Sequence, residues 1–587
     1  MAGFTSGKGT GAPADGTDTT ASTDPAQQSA HLMTRREALK RAAALGFGAT
    51  AFSALLAACG GGGGAATTTS GGAPGGAAGG TTPTGAAVTG ASGAAGSPAA
   101  GGAAPAAGTP GGKLAVALDS DLTTMDPHKS TAAVDRQVFQ QLYDKLVDID
   151  EKLNIVPQLA TKWEIAGDGT TYTFTLVEGV KFHDGTDLNA EAVKVNFERM
   201  LNKDTASPRR SEIAQVTKAE APDAKTVVLT LSQAFSPLLA TLSDRAGMII
   251  SPKAIQEKGD ELARQPVGSG AFTFVEWLKS DHLTVKKNPS YWQKGLPYLD
   301  EVTYRPIVEA TQRLNGLKTN QVQISQGIAA KDIDAAKKDS ALVYDEVPSL
   351  GFQYITLHAT KPPFDNKALR QAVGWSLDRA GINKVVYFNT GQPAQTPIPP
   401  NSWAYDESVQ VYKQDYDQVK KKLQEGGKPD GFSFTMLVTN SPEGIQLAEA
   451  YKAQLAEAKI TANLELLEFG TLLDRSNNGN FEGLSLGWSG RPDPDGNIYG
   501  YFHSQGGNNR NGYNNPEVDK LLDQARAVAD QAERKKLYAQ ATKIIAEDAP
   551  MIFIRFPAEV KVWLPVVQGF AHIPDGMMRL KSVSLKK

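Results

Sequence analysis

The chain carries a single cysteine in 587 residues. An intramolecular disulfide framework is therefore impossible, and the fold must rest on its apolar core. Histidine is almost as scarce: there are seven, none in a metal-ligand spacing such as HExxH. No resident metal and no cofactor are expected. Neither sign of charge is in excess, with 60 basic against 63 acidic residues and a formal net charge of -3. Nucleic acid is excluded as a partner, because phosphate neutralisation needs a basic stripe. No Walker A sequence is present. The run Gly487-Trp488-Ser489-Gly490-Arg491 fails the G-x-S-x-G nucleophile pattern, since Arg491 stands where the last glycine belongs. Long apolar runs are missing too: Ala42 to Ala58 falls short of the ~20 strongly apolar residues that a spanning helix needs.

That short run has a different use. Arg35 and Arg36 precede it, and a basic region before a short apolar stretch is the pattern of a secretory signal. The arginine pair resembles a twin-arginine export signal, with Ala38 where phenylalanine is preferred. The stretch ends in Leu56-Ala57-Ala58-Cys59, which resembles a bacterial lipobox, so the only thiol is expected to carry lipid after cleavage before Cys59. Two or three acyl chains anchor firmly where one does not. Residues 1–58 are read as the signal-bearing region, with the start at Met1 or Met33. Residues 59–112 are nearly all Gly, Ala, Thr, Ser and Pro, a composition that cannot bury apolar surface and acts as a flexible tether. The expected location is the cell envelope, on the outer face of the cytoplasmic membrane or in the periplasm.

From Gly112 onward the chain is rich in Val, Ile, Leu, Phe, Tyr and Trp. Leu114 to Leu118 reads as a strand. Trp163–Ile165 and Thr171–Leu176 flank Asp168-Gly169, a strong hairpin signal. Glu191 to Leu201 reads as a helix capped by Asn189. Phe432–Val438, Glu443–Ala458 and Asn463–Leu467 read as strand, helix and strand, a βαβ unit that implies a parallel pair. Asn515-Pro516 opens a helix with Val518, Leu521, Leu522 and Ala525 on one face. A further helix carries Leu537, Ala541, Ile544 and Ile545, and Met551–Ile554 leaves it as a buried strand. The pattern is α/β with mixed sheets.

Five blocks in order carry a family resemblance: Pro157 to Gly185, Pro266 to Trp292, Pro363 to Val373, Gly487 to Gly490, and Tyr513 to Asp519. Residues 113–587 resemble the bacterial extracellular solute-binding proteins of family 5, the dipeptide and oligopeptide receptors of ABC importers. The resemblance implies an α/β two-lobed periplasmic-binding-protein fold, type II and of the large class C kind, with a ligand cleft between the lobes. Lobe I would span 113–355, with a hairpin subdomain near 155–265, and return at 555–587. Lobe II would span 356–554. Crossings near Tyr354–Leu357 and Ile554–Phe556 would form the hinge. The implied function is capture of a peptide or similar small solute and its delivery to membrane permease subunits. The protein would act as a monomer, anchored to the membrane by its N-terminal lipid, and not as an enzyme. A secreted hydrolase, or a ligand-loaded partner of a sensor or chaperone, are the competing classes.

The resemblance places the cleft tryptophan at Trp488, beside Ser489. Peptide-binding members have an aspartate three residues later to hold the ligand's amino group; here that position is Arg491. A guanidinium repels an ammonium and favours a carboxylate or phosphate. Asp493 and Asp495 either supply the negative charge from a shifted position or pair with Arg491. A non-peptide anionic solute or a metal chelate is therefore an alternative ligand. Met125, Trp403 and Asn440 are further candidate contacts, each weighed against an ordinary packing role, and Phe235 is a weaker one.

Overall fold

A computed structural model of the protein describes residues 108–586. The signal-bearing region, Cys59 and nearly all of the 59–112 segment lie outside the described residues. Two mixed sheets organise the rest. The seven-stranded sheet has Lys113–Leu118 at its centre, flanked in parallel by Glu301–Pro306 and Ile324–Ser325. The hairpin Phe272–Leu278 and His282–Lys287 extends one side, and Val343–Pro348 with Ala558–Trp563 completes the other. The six-stranded sheet pairs Phe352–Leu357 antiparallel with both Gly483–Trp488 and Met551–Phe556. Each sheet and its covering helices form one lobe.

Local chemistry explains the elements. Phe432–Thr439, Pro442–Glu457 and Ile460–Leu467 form the expected βαβ unit with a parallel pair. Ser441 caps the helix by accepting from Gly444 N, and Pro442 sits in its first turn, where a missing N–H costs nothing. The helix Ala190–Leu201 is capped by Asn189, and Pro516–Ala527 by Asn515. A four-stranded antiparallel sheet, Ala160–Ile165, Thr171–Leu176, Thr226–Leu231 and Val216–Glu220, forms a satellite on the first lobe. Tyr172, Phe174 and Leu176 alternate inward there, against Phe197, Val227 and Leu229.

The crossings between lobes differ from the sequence expectation by a few residues. Phe352–Leu357 and Met551–Phe556 lie wholly inside the second sheet and pair with each other, with Phe352, Ile355 and Ile554 buried. The chain passes between the lobes just outside these strands, at Ser349–Gly351 and again at Pro557.

Two buried histidines are built to stay neutral. The His128 ring sits between the Arg199 guanidinium (Nη1 to Nδ1, 2.9 Å) and the Met248 carbonyl (3.0 Å), so one ring nitrogen accepts and the other donates. His183 bonds the Gly270 carbonyl at 3.0 Å. Burial, opposed in each case by a nearby aspartate, lowers both to about 4. The unfolded chain takes up these two protons near pH 6.5 and the folded chain does not, so stability is expected to fall as pH drops from about 6.5 toward 4. NMR titration checks this: both imidazoles should remain neutral at pH 5, and titration of either near pH 6.5 in the folded protein would contradict it.

Candidate functional site

Trp488 ends the strand Gly483–Trp488, whose Leu484 is buried while its last residues reach the seam between lobes. The connection after it is tight. Gly490 adopts φ +75°, and a side chain there would meet the Leu350 backbone at 2.1 Å; one on Gly351 would meet the Trp488 carbonyl at 1.9 Å. These two glycines let the interlobe crossing lie directly against the end of the tryptophan strand. Asn497, fully buried, ties the corner together. Its Oδ1 accepts from Trp488 Nε1 (3.0 Å) and Arg491 N (2.9 Å), and its Nδ2 donates to the Leu350 carbonyl (2.9 Å). Tyr501 meets the indole edge to face, with ring centres 5.2 Å apart.

Arg491 turns away from this corner to the opposite lobe. Its guanidinium stacks on the Trp488 ring at 4.2 Å, and its Nε lies 2.8 Å from the carboxylate of Asp244 in the first lobe. Asp244 also accepts from Arg136 Nε at 2.9 Å, and Arg136 Nη1 donates to Ser489 Oγ at 3.1 Å. The cluster is buried on both sides. Burial alone would raise the Asp244 carboxyl, but Arg136 and Arg491 overcome it and hold it well below the carboxylate range. Burial likewise lowers the Arg491 guanidinium to about 10, against the pull of Asp244.

The alternatives left open for the neighbouring acids resolve into a third arrangement. Asp493 is gripped by Arg534 (2.7 and 2.9 Å) and Asp495 by Arg526 (both contacts 2.8 Å), all within the second lobe. Neither acid pairs with Arg491, and both carboxylates are taken. Met125 is fully buried in the first lobe's core, where its carbonyl accepts from Tyr143. Trp403 packs against Tyr538 and under Arg534, inside the second lobe. Phe235 is buried and lies beneath Arg526.

Two cavities run between the lobes. One of about 370 Å³ is walled by Trp488, Ser489, Tyr501, Tyr354, Leu473 and Phe481 of the second lobe and by Asp119 and Thr131–Ala133 of the first. The other, about 630 Å³, shares Asp119, Gln353, Thr439, Phe469 and Leu486 with it and reaches Asn440. Arg491 lines neither; it borders a separate space of about 40 Å³ on the other side of the indole, with Asp244, Asp493 and Asp495. Thus Trp488, Ser489 and Asn440 come together on the large cavities, and the remaining candidates do not. Asp244, Arg136 and Asn497 escaped sequence reasoning. Each is one of many like residues, and only the meeting of distant segments distinguishes it.

Two lobes joined by two crossings, enclosing an aromatic-walled cavity at their seam, define a solute-binding protein. The chain matches the bacterial extracellular solute-binding proteins, family 5 Middle, over residues 154–509. It is 32% identical over 483 residues to the glutathione-binding protein GsiB of Pectobacterium atrosepticum, covering 80% of this chain and 93% of the relative. Its fold overlays the Helicobacter pylori ABC transporter-associated periplasmic binding protein DppA, in complex with the peptide STSA, with a TM-score of 0.77 and 30% identity over 82% of this chain and 99% of the other. AgaA of A. tumefaciens R10, in complex with agropinic acid, overlays equally well at 26% identity, covering 81% of this chain and 99% of AgaA. The chain belongs to family 5 of the bacterial extracellular solute-binding proteins.

Among the described residues Asp244 is the one carboxylate in contact with both Arg136 and Arg491, so its neutralisation leaves these buried guanidiniums, with Arg245 and Arg209 nearby, without a direct carboxylate partner. Breaking a buried pair from one side costs about 3–5 kcal/mol. Asp244→Asn is expected to open the lobes: small-angle scattering should show a larger radius of gyration than the parent protein, and an unchanged radius would remove the cluster from any role in closure.

Proposed function

We propose that this protein captures a peptide, or a similar small solute bearing peptide-like groups, between two closing lobes and hands it to the permease of an ABC importer. The observation that carries the reading is the pair of adjoining cavities at the interlobe seam, about 370 and 630 Å³, the smaller walled by Trp488 and Tyr501 and both lined by residues of both lobes. Pockets of this size take small ligands and short peptides, and burying a ligand between lobes links binding to hinge closure. The crossings at Ser349–Gly351 and Pro557 are the hinge. Trp488, Ser489 and Asn440 line the ligand space. Arg491 serves closure through Asp244, so its positive charge does not argue against an amine on the ligand. Glutathione and peptide binding by the relatives support this ligand class. The agropinic acid complex of AgaA favours a second reading, a non-peptide anionic solute in the same space.

The protein works as a monomer outside the cytoplasm, without catalysis. Its twin-arginine-like signal and the Leu56–Cys59 lipobox support export and a lipid anchor at Cys59, with residues 60–112 as the tether. Calorimetry with STSA and with glutathione should give one-to-one binding, and mass spectrometry should recover either molecule unchanged after prolonged incubation. Cleavage products would instead establish an enzyme. Failure of both ligands, with binding of an opine acid, would select the second reading. Labelled palmitate should enter the wild-type protein in bacterial cells and be absent from Cys59→Ala; equal labelling of the two would refute the anchor.

A further inference from the structure

We infer that Asp119 and Arg510 read the opposite charges of a zwitterionic ligand, one from each lobe. The inference rests on the binding reading above and names what that site selects. These two are the only charged side chains among the residues lining the 370 Å³ cavity. Arg510 makes no ion pair among the described residues, and its buried Nε has no hydrogen-bond partner. Elsewhere among the described residues Arg491, Arg526, Arg534 and Arg579 each face a carboxylate within 3.0 Å, and Arg245, Arg313, Arg379 and Arg555, which form no salt bridge, donate to backbone carbonyls instead. Burial lowers the Arg510 guanidinium, and the only group opposing that is the Tyr501 hydroxyl. A charge left in a partly buried wall without a counterion is costly unless a ligand supplies one. A carboxylate fits the planar fork of donors.

Asp119 is the matching pole. It follows directly on the central strand Lys113–Leu118 and forms no salt bridge among the described residues: the Arg313 guanidinium feels its charge without contacting it, and its carboxylate accepts from the Ser120 hydroxyl at 2.9 Å. It stands on the wall shared by both cavities. Beyond it the larger cavity is acidic: Asp121, Glu309, Glu443 and Glu468 line it as well, against Lys331 and an Arg313 whose guanidinium donates to backbone carbonyls. The seam is therefore polarised, with one cation at the Arg510 end and carboxylates from Asp119 outward. A ligand with a free carboxylate and a free amine lies along that gradient, its carboxylate on Arg510 and its ammonium on Asp119. The aspartate that holds the amine in peptide-binding relatives would come here from the opposite lobe. Because the two poles sit on different lobes, a zwitterion draws them together, and either half alone does not.

The test uses the full chain and the tetrapeptide STSA, together with a random tetrapeptide mixture, each supplied free, N-acetylated and C-amidated. Wild-type protein should lose about ten-fold or more in affinity with either block. Arg510→Gln should bind free and amidated forms equally, while Asp119→Asn should bind free and acetylated forms equally. Wild-type protein that binds all three forms alike, or variants that weaken all three by one factor, overturns the inference and leaves solute capture standing. Binding of no tetrapeptide in any form overturns the inference and the peptide reading together.

Discussion

One buried carboxylate is shared between the two lobes of this protein. Asp244 lies between Arg136 of its own lobe and Arg491 of the other, with no water-exposed face to dilute the field. In such a setting an ion pair gains strength from the low dielectric and loses heavily if a partner leaves. The pair bridges the two lobes, so any separation of the lobes must break it. Arg491 stacks on Trp488, which also lines the 370 Å³ cavity between the lobes. A ligand that settles against the indole favours the same lobe position as the ion pair, which is the condition for a ligand to shift the population.

Elsewhere the lobes meet through polar, backbone and apolar contacts: Arg526 of the second lobe lies over the Phe235 ring of the first at 5.0 Å, and Leu473 packs into the first lobe's core. Ser236 N donates to the Arg526 carbonyl at 2.9 Å, and Asn477 reaches Thr131 at 3.3 Å. Neutral contacts of this kind contribute about 1 kcal/mol each at most, and they reform with water when the lobes part. The crossings sit beside the Asp244–Arg491 pair, at Ser349–Gly351 and Pro557, where two glycines permit the closest backbone approach in the region.

Much of the architecture was legible before any coordinates. The hairpin around Asp168-Gly169, the βαβ unit at 432–467 and the Asn–Pro helix start at 515–516 are local patterns, set by periodicity, turn chemistry and capping. Tyr354–Leu357 and Ile554–Phe556 read the same in sequence whether they end a lobe or run through its sheet, and in the structure they run through it. Trp488 was legible as a site residue, since its block carries the family resemblance. Arg491 was legible as a departure, but its partner was not, because any of 63 acidic residues could have met it.

The amino-acid sequence by itself determined the class of protein: an α/β chain of family 5 of the solute-binding proteins. It did so because that class rests on composition, short motifs and their order. Only the tertiary structure decided which charges face each other. It gave Asp493 to Arg534, Asp495 to Arg526 and Arg491 to Asp244, and it left Asp119 and Arg510 on one cavity wall without ionic partners. Electrostatic pairing depends on distances of a few ångströms between segments far apart in the chain, and no local pattern of residues encodes them.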